Sequence, residues 1–141
     1  MKKIYIASDH AGYSLKNFIF EKLKTKFDIM DLGTNKKSVS VNYPIYAHKL
    51  SKMVSKKKSY VGILVCGSGL GMSMAANRHK KIRAALCYSI KNAKLSRLHN
   101  DANVITLGSR MISKKNAIKF IDIFLKTGFE GGRHKKRIRK M

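Results

Sequence analysis

Val61-Gly62-Ile63-Leu64-Val65-Cys66-Gly67-Ser68-Gly69-Leu70-Gly71-Met72-Ser73-Met74-Ala75-Ala76-Asn77 decides how this chain folds. Residues 61–65 are apolar with β-branched side chains, which marks a strand buried on both faces. Residues 72–77 favour helix, and Gly67, Gly69 and Gly71 lie between. Strand, glycine loop and helix together bring backbone against an anion. Glycine removes the Cβ, and a helix N-terminus leaves N–H groups unpaired with a partial positive charge. Cys66 ends the strand and faces that pocket, where the same field favours a thiolate. A base beside an anion hole points to chemistry through an enolate-like intermediate. The loop alone also fits a tight turn with a buried structural cysteine. It is neither a dinucleotide fingerprint nor a phosphate loop ending in Gly-Lys-Ser/Thr.

Working outward, strand-like and helix-like segments alternate. Strands are expected at 3–8, 27–32, 61–65, 82–87 and 103–107. Helices are expected from Ser14 to Lys24, from Tyr43-Pro44, after the glycine loop, from Ser89 to about Leu98, and from Ser113 to Gly128. Thr34 to Asn42 reads as a polar loop. The pattern implies an α/β fold: a single three-layer α/β/α domain over 1–141 with a five-stranded parallel Rossmann-like sheet. Residues 130–141 form a basic C-terminal segment. Ligands of such sheets sit beyond the carboxyl ends of the strands, where Asp9, His10, Asn42, Tyr43, Cys66, Ser68 and Arg110 gather. His99 and Asn100 end the fourth helix, which by itself does not put them there.

The chain has 141 residues and a formal net charge of +24. No apolar run is long enough for a membrane span, and no signal-peptide stretch precedes Ser8-Asp9-His10. Cys66 and Cys87 each end an apolar run, so a disulfide framework is not expected and a cytoplasmic setting is. The excess charge is 24 lysines against 7 arginines, spread over most elements. We read it as compositional, with nonspecific, salt-sensitive nucleic-acid binding as a physical consequence. No paired metal-ligand spacing occurs, and no metal or other cofactor is expected.

Several motifs in order resemble the family of ribose, galactose and allose phosphate isomerases, its ribose-5-phosphate isomerases of the B type above all. They are Ser8-Asp9-His10-Ala11-Gly12, Asp31-Leu32-Gly33-Thr34, Tyr43-Pro44, Cys66-Gly67-Ser68-Gly69-Leu70-Gly71 and Ala76-Asn77-Arg78. Leu95 to Val104, Gly108-Ser109-Arg110 and Glu130-Gly131-Gly132-Arg133-His134 complete the series. The resemblance implies an aldose–ketose isomerase of the non-oxidative pentose phosphate pathway. It would interconvert ribose 5-phosphate and ribulose 5-phosphate without a cofactor. Cys66 matches the proton-transfer base and His99 the residue that assists ring opening. Gly67, Ser68, Gly69, Leu70 and Gly71 match the anion hole. Asp9 and Asn100 match sugar contacts, while His10, Arg110, Arg133 and Arg137 match phosphate contacts. At i and i+4, Arg133 and Arg137 lie on one helix face; the alternative is a disordered polybasic end. The resemblance also implies a homodimer with a shared active site, or a tetramer.

Asn42 departs from the pattern, since relatives commonly have aspartate before Tyr-Pro; the loss of charge would alter ring opening. A six-carbon substrate (allose 6-phosphate or galactose 6-phosphate) is the alternative within the family. A nucleic-acid-binding protein is the alternative outside it. His48 and His79 lack a motif and are expected at the surface.

Overall fold

Side-chain alternation along the central strands builds the layers. Ile4 and Ile6 of β1 (Lys3–Ser8), and Ile63 and Val65 of β3 (Tyr60–Cys66), face one side of the sheet. Tyr5, Ala7, Leu64 and Cys66 face the other. Both faces are apolar because helices cover both, and each fully buried isoleucine or leucine contributes about 1.5–3 kcal/mol.

A computed structural model describes residues 2–141. The first face packs on α1 (Tyr13–Leu23), α4 (Ile90–Leu98) and α5 (Lys114–Lys126). The second packs on α2 (Tyr43–Val54) and α3 (Leu70–Ala76). With β2 (Asp28–Asp31), β4 (Ala84–Leu86) and β5 (Val104–Gly108), the strands form a parallel sheet of order β2-β1-β3-β5-β4. The chain ends in α6 (Arg133–Ile138). No helix among the described residues is long and apolar enough to cross a membrane.

The expected parallel sheet with helices on both faces is present. The strand order adds what periodicity does not contain: β5 inserts between β3 and β4. From β1 the chain moves outward to β2 along the first face; from β2 it crosses to β3 along the second. The crevice where that direction reverses lies between the carboxyl ends of β1 and β3.

Two helix starts behave as their sequences imply. Ser89 accepts the Asn92 N–H and Asn92 reciprocates, and Ser113 accepts the Asn116 N–H. The Ser89 cap also shortens β4 relative to expectation. Asn92 binds the Leu86 carbonyl and the Tyr88 N–H, turning the chain away after three strand residues.

Lys16 is 1% exposed, with Nζ 2.9 and 2.7 Å from the Asp31 carboxylate oxygens and 2.7 Å from the Thr34 carbonyl. This buried ion pair ties α1 to the loop leading to α2.

Candidate active site

The β1–β3 crevice opens as a cleft of about 380 Å³ whose walls include Asp9, His10, Tyr43, Cys66, Gly67, Ser68, Gly71, Arg110 and Met111. β3 delivers Cys66, only 5% exposed, to its floor. The chain then reverses through Gly69 at φ 79°, a left-handed conformation that glycine adopts without strain. The reversal brings the Gly69 nitrogen to 3.1 Å from Cys66 Sγ, which accepts its N–H. Ser68 Oγ accepts the Leu70 N–H at 3.2 Å. Ser109 and Arg110 donate their N–H groups to the Cys66 and Gly67 carbonyls, at 2.8 and 3.0 Å, and pin the loop against the end of β5.

Two further glycines serve close approach. A Cβ on Gly67 would sit 2.8 Å from Arg110 Nη1, so the guanidinium lies directly against the loop. A Cβ on Gly71 would sit 2.5 Å from the Tyr43 ring, which forms the opposite wall.

The turn after β1 carries Asp9 and His10. Asp9 is buried; its Oδ1 accepts the Gly12 N–H at 2.9 Å, and its own N–H reaches the Val65 carbonyl at 3.3 Å. His10 Nδ1 accepts the Val41 N–H at 3.1 Å. A neutral ring held this way keeps its hydrogen on Nε2, which is then a donor.

His99, Asn100, Arg133 and Arg137 do not line this cleft. α4 runs antiparallel to the strands, so it carries His99, its C-cap, to the end of the sheet where the strands begin. Arg83 and Arg97 clamp the turn that follows. Arg83 Nε donates to the Asn100 carbonyl at 2.9 Å, and Arg97 Nη1 reaches Asp101 Oδ1 at 2.9 Å. Asp101 has φ 45°. The C-terminal segment docks on this corner: the Glu130 N–H donates to the Leu98 carbonyl at 3.1 Å.

The basic tail is the helix α6, in agreement with the spacing argument. Its Arg133 and Arg137 are exposed, while His134 is buried and stacks on His99 with ring centroids 4.2 Å apart. Glu130 Oε2 lies 3.8 Å from Nε2 of both rings. Burial, then the neighbouring His99, lowers the His134 pKa.

Met111 in the cleft, and Glu130 and His134 at the corner, lie outside the expected site residues, and Tyr43 was expected at the strand ends without an assigned role. Tyr43 had a signal, its place after the second strand. Glu130 and His134 had one too, the Glu130-Gly131-Gly132-Arg133-His134 motif, but no role was attached to either. His48 and His79 differ from the expected surface placement. They are half-buried and paired, with Nδ1 of one 2.7 Å from Nε2 of the other, and desolvation, then His48, lowers the His79 pKa.

A larger cavity of about 760 Å³ opens near the amino ends of β3 and β5, with Lys56, Lys57, Lys58, Arg83 and Arg97 among its walls. It holds none of the expected catalytic groups.

The profile of the family described as Ribose/Galactose Isomerase matches residues 4–141. The probable ribose-5-phosphate isomerase B of Mycoplasma genitalium is 48% identical, over 98% of this chain and 92% of its own length. The ribose-5-phosphate isomerase B of Escherichia coli is 40% identical, over 98% and 93%. The crystal structure of the Mycoplasma genitalium enzyme with bound ribulose-5-phosphate matches this fold with a TM-score of 0.95 at 48% identity, covering 98% of this chain and 92% of that one.

Proposed function

The chain belongs to the ribose/galactose isomerase family, and from that premise we propose that it interconverts D-ribose 5-phosphate and D-ribulose 5-phosphate. The furanose opens first, with His99 moving the proton between ring oxygen and hydroxyl. Cys66 then takes the proton from C2 and returns it to C1, while a proton passes from the C2 hydroxyl to the C1 oxygen. Negative charge on the enediolate oxygen falls to the N–H groups of the 67–71 loop and the Ser68 hydroxyl. Asp9 and Asn100 hold sugar hydroxyls. His10, through Nε2–H, and Arg110 hold the phosphate together with Arg133 and Arg137.

The observation that carries this reading is the Gly69 N–H to Cys66 Sγ bond of 3.1 Å, in a cleft shared with Asp9, His10 and Arg110. A base already receiving a hydrogen bond, next to cations and backbone donors, is what proton transfer α to a carbonyl needs.

The same chain cannot supply His99, Asn100, Arg133 and Arg137 to its own cleft, so we assign them to a second copy in a homodimer. Exposed apolar side chains near the cleft support this. Leu70 and Met74 share one face of α3 at 51% and 68% exposure, and Met111 on the cleft wall is 69% exposed. Apolar surface of this kind at the rim of an incomplete site suits burial by a symmetry mate. The chain would act as one domain. Cys66 and Cys87 are both free thiols, which suits the reducing cytoplasm we assign to the activity.

The test is interconversion of the two pentose phosphates by chelator-treated protein, with Cys66→Ala beside it. Turnover in the parent and its loss in the variant support the reaction and its base together. Turnover retained by the variant rejects Cys66, and turnover absent from both rejects the substrate.

A further inference from the structure

We propose that His99, Glu130 and His134 form a binding site for a transition-metal dication of the Zn²⁺ class, and that its occupancy takes His99 out of ring opening. The binding half stands by itself; the inhibitory half rests on the isomerase reading above.

The fold brings the three groups together from separate parts of the sequence. His99 caps α4, Glu130 lies on the strap that crosses the end of α4, and His134 lies in the first turn of α6. Their ligand atoms all lie within 4.8 Å of one another. Two imidazoles and a carboxylate are a donor set that zinc takes with a fourth position left for water. Magnesium and calcium prefer sites made of oxygen, and this is not one. Bonds of about 2.0–2.1 Å in tetrahedral array put ligand atoms about 3.4 Å apart. The Nε2–Oε2 separations of 3.8 Å must close, and the His99 ring, stacked on His134 at 16°, must turn so that its lone pair converges with that of His134. Glu130 is exposed and His99 half-exposed, so both can move while His134 stays seated.

A second observation points to a ligand. His134 Nε2 is buried and has no hydrogen-bond partner, although the ring is 5% exposed and its nitrogen faces Glu130. An orphaned buried nitrogen is uncommon and costs stability unless something uses it. A metal ion would use its lone pair. The backbone bond from Glu130 to Leu98 fixes the strap, so the carboxylate is held near both rings before any ion arrives. Arg133 and Arg137 flank the site and oppose a cation, which makes the affinity modest.

The test uses chelator-treated protein with Zn²⁺ followed by calorimetry and Co²⁺ followed by visible absorption. Cys66→Ala removes the competing thiolate and serves as the background. Expected are one Zn²⁺ per chain in that background and the intense visible bands of four-coordinate Co²⁺. Glu130→Gln, at an exposed position and with its fold checked by circular dichroism, should weaken Zn²⁺ at least tenfold, and His134→Gln should do the same. In the Cys66-containing protein, Zn²⁺ should inhibit turnover and Glu130→Gln should reduce that inhibition. Binding lost in Cys66→Ala, or unchanged by Glu130→Gln, overturns the site. Binding at the site without inhibition overturns the regulatory half alone. An absence of isomerase activity overturns the functional reading and leaves the binding result standing.

Discussion

The cleft around Cys66 and the corner around His99 each carry a proton-transfer candidate next to arginines, yet they are built in opposite ways. In the cleft the backbone does the placing. Strand ends fix Cys66 and Asp9, a glycine reversal aims an N–H at sulfur, and β5 pins the loop. The corner is made by side chains: a histidine stack, a carboxylate on a strap, and arginines on a short terminal helix. Parallel-sheet topology puts the two at opposite ends of the strands. On the proposed mechanism each is half a site, and bringing the halves together takes the second copy of the chain assigned above.

The hardest test of that division is a mixture. Cys66→Ala alone should lower kcat by about 10³-fold or more, the range of general acid–base catalysis. His99→Asn alone should be strongly impaired too. In a mixed dimer, one of the two sites combines an intact Cys66 from one chain with an intact His99 from the other. Random reassembly of equal amounts should therefore restore about one quarter of parent activity. Recovery of none would mean that both halves come from one chain, and the comparison would fail.

Stability gives the next largest effect, on the cleft half only. Asp31→Asn leaves the Lys16 ammonium buried without its counter-charge. Losing one partner of a buried pair costs about 3–5 kcal/mol, and the partial exposure of Asp31 (29%) puts the expected loss at the lower end. Urea unfolding would measure it. A loss below 1 kcal/mol would mean that water reaches Lys16.

The cleft was legible in the sequence because backbone chemistry has short-range signatures. A β-branched run, alternating glycines and a helix former sit within one stretch, and Ser89 and Ser113 announced their helices in the same way. β1 was readable because Ile4 to Ala7 are apolar on both faces. The corner was not legible. Its groups at 99, 130 and 134 come together only after α5 returns the chain past α4, and no local pattern encodes that return. The placement of β5 between β3 and β4 was hidden for the same reason, since periodicity gives a strand but not its neighbour. Asn42, noted for its lost charge, is exposed and caps α2 without a side-chain bond.

The corner half can be divided further. His99→Asn should lower turnover of cyclic ribose 5-phosphate by roughly 10²-fold and that of an open-chain analogue far less. Equal losses would make His99 structural. Arg137→Ala should raise KM roughly tenfold with little change in kcat, because a charge-assisted bond to phosphate contributes about 1.5–3 kcal/mol. Lys136→Ala, exposed on the same helix, should change KM much less. Equal effects would make the tail a diffuse cationic field instead of a pair of aimed guanidinium groups.

The smallest effect concerns a histidine pair on the cleft side. His48 lies on α2, the helix that carries Tyr43, and His79 lies just beyond α3. Desolvation, then His48 and Lys52, lowers the His79 pKa in the fold. The unfolded chain binds its proton near pH 6.5. Above that pH neither state is protonated at this ring. Below it the unfolded state takes up a proton that the folded state resists, so stability falls as pH drops toward the folded pKa. Thermal unfolding at pH 7.5 and 5.5 should reveal the loss, and His79→Gln should shrink the difference between the two midpoints. Acid sensitivity that persists in His79→Gln would move its origin away from the cleft half.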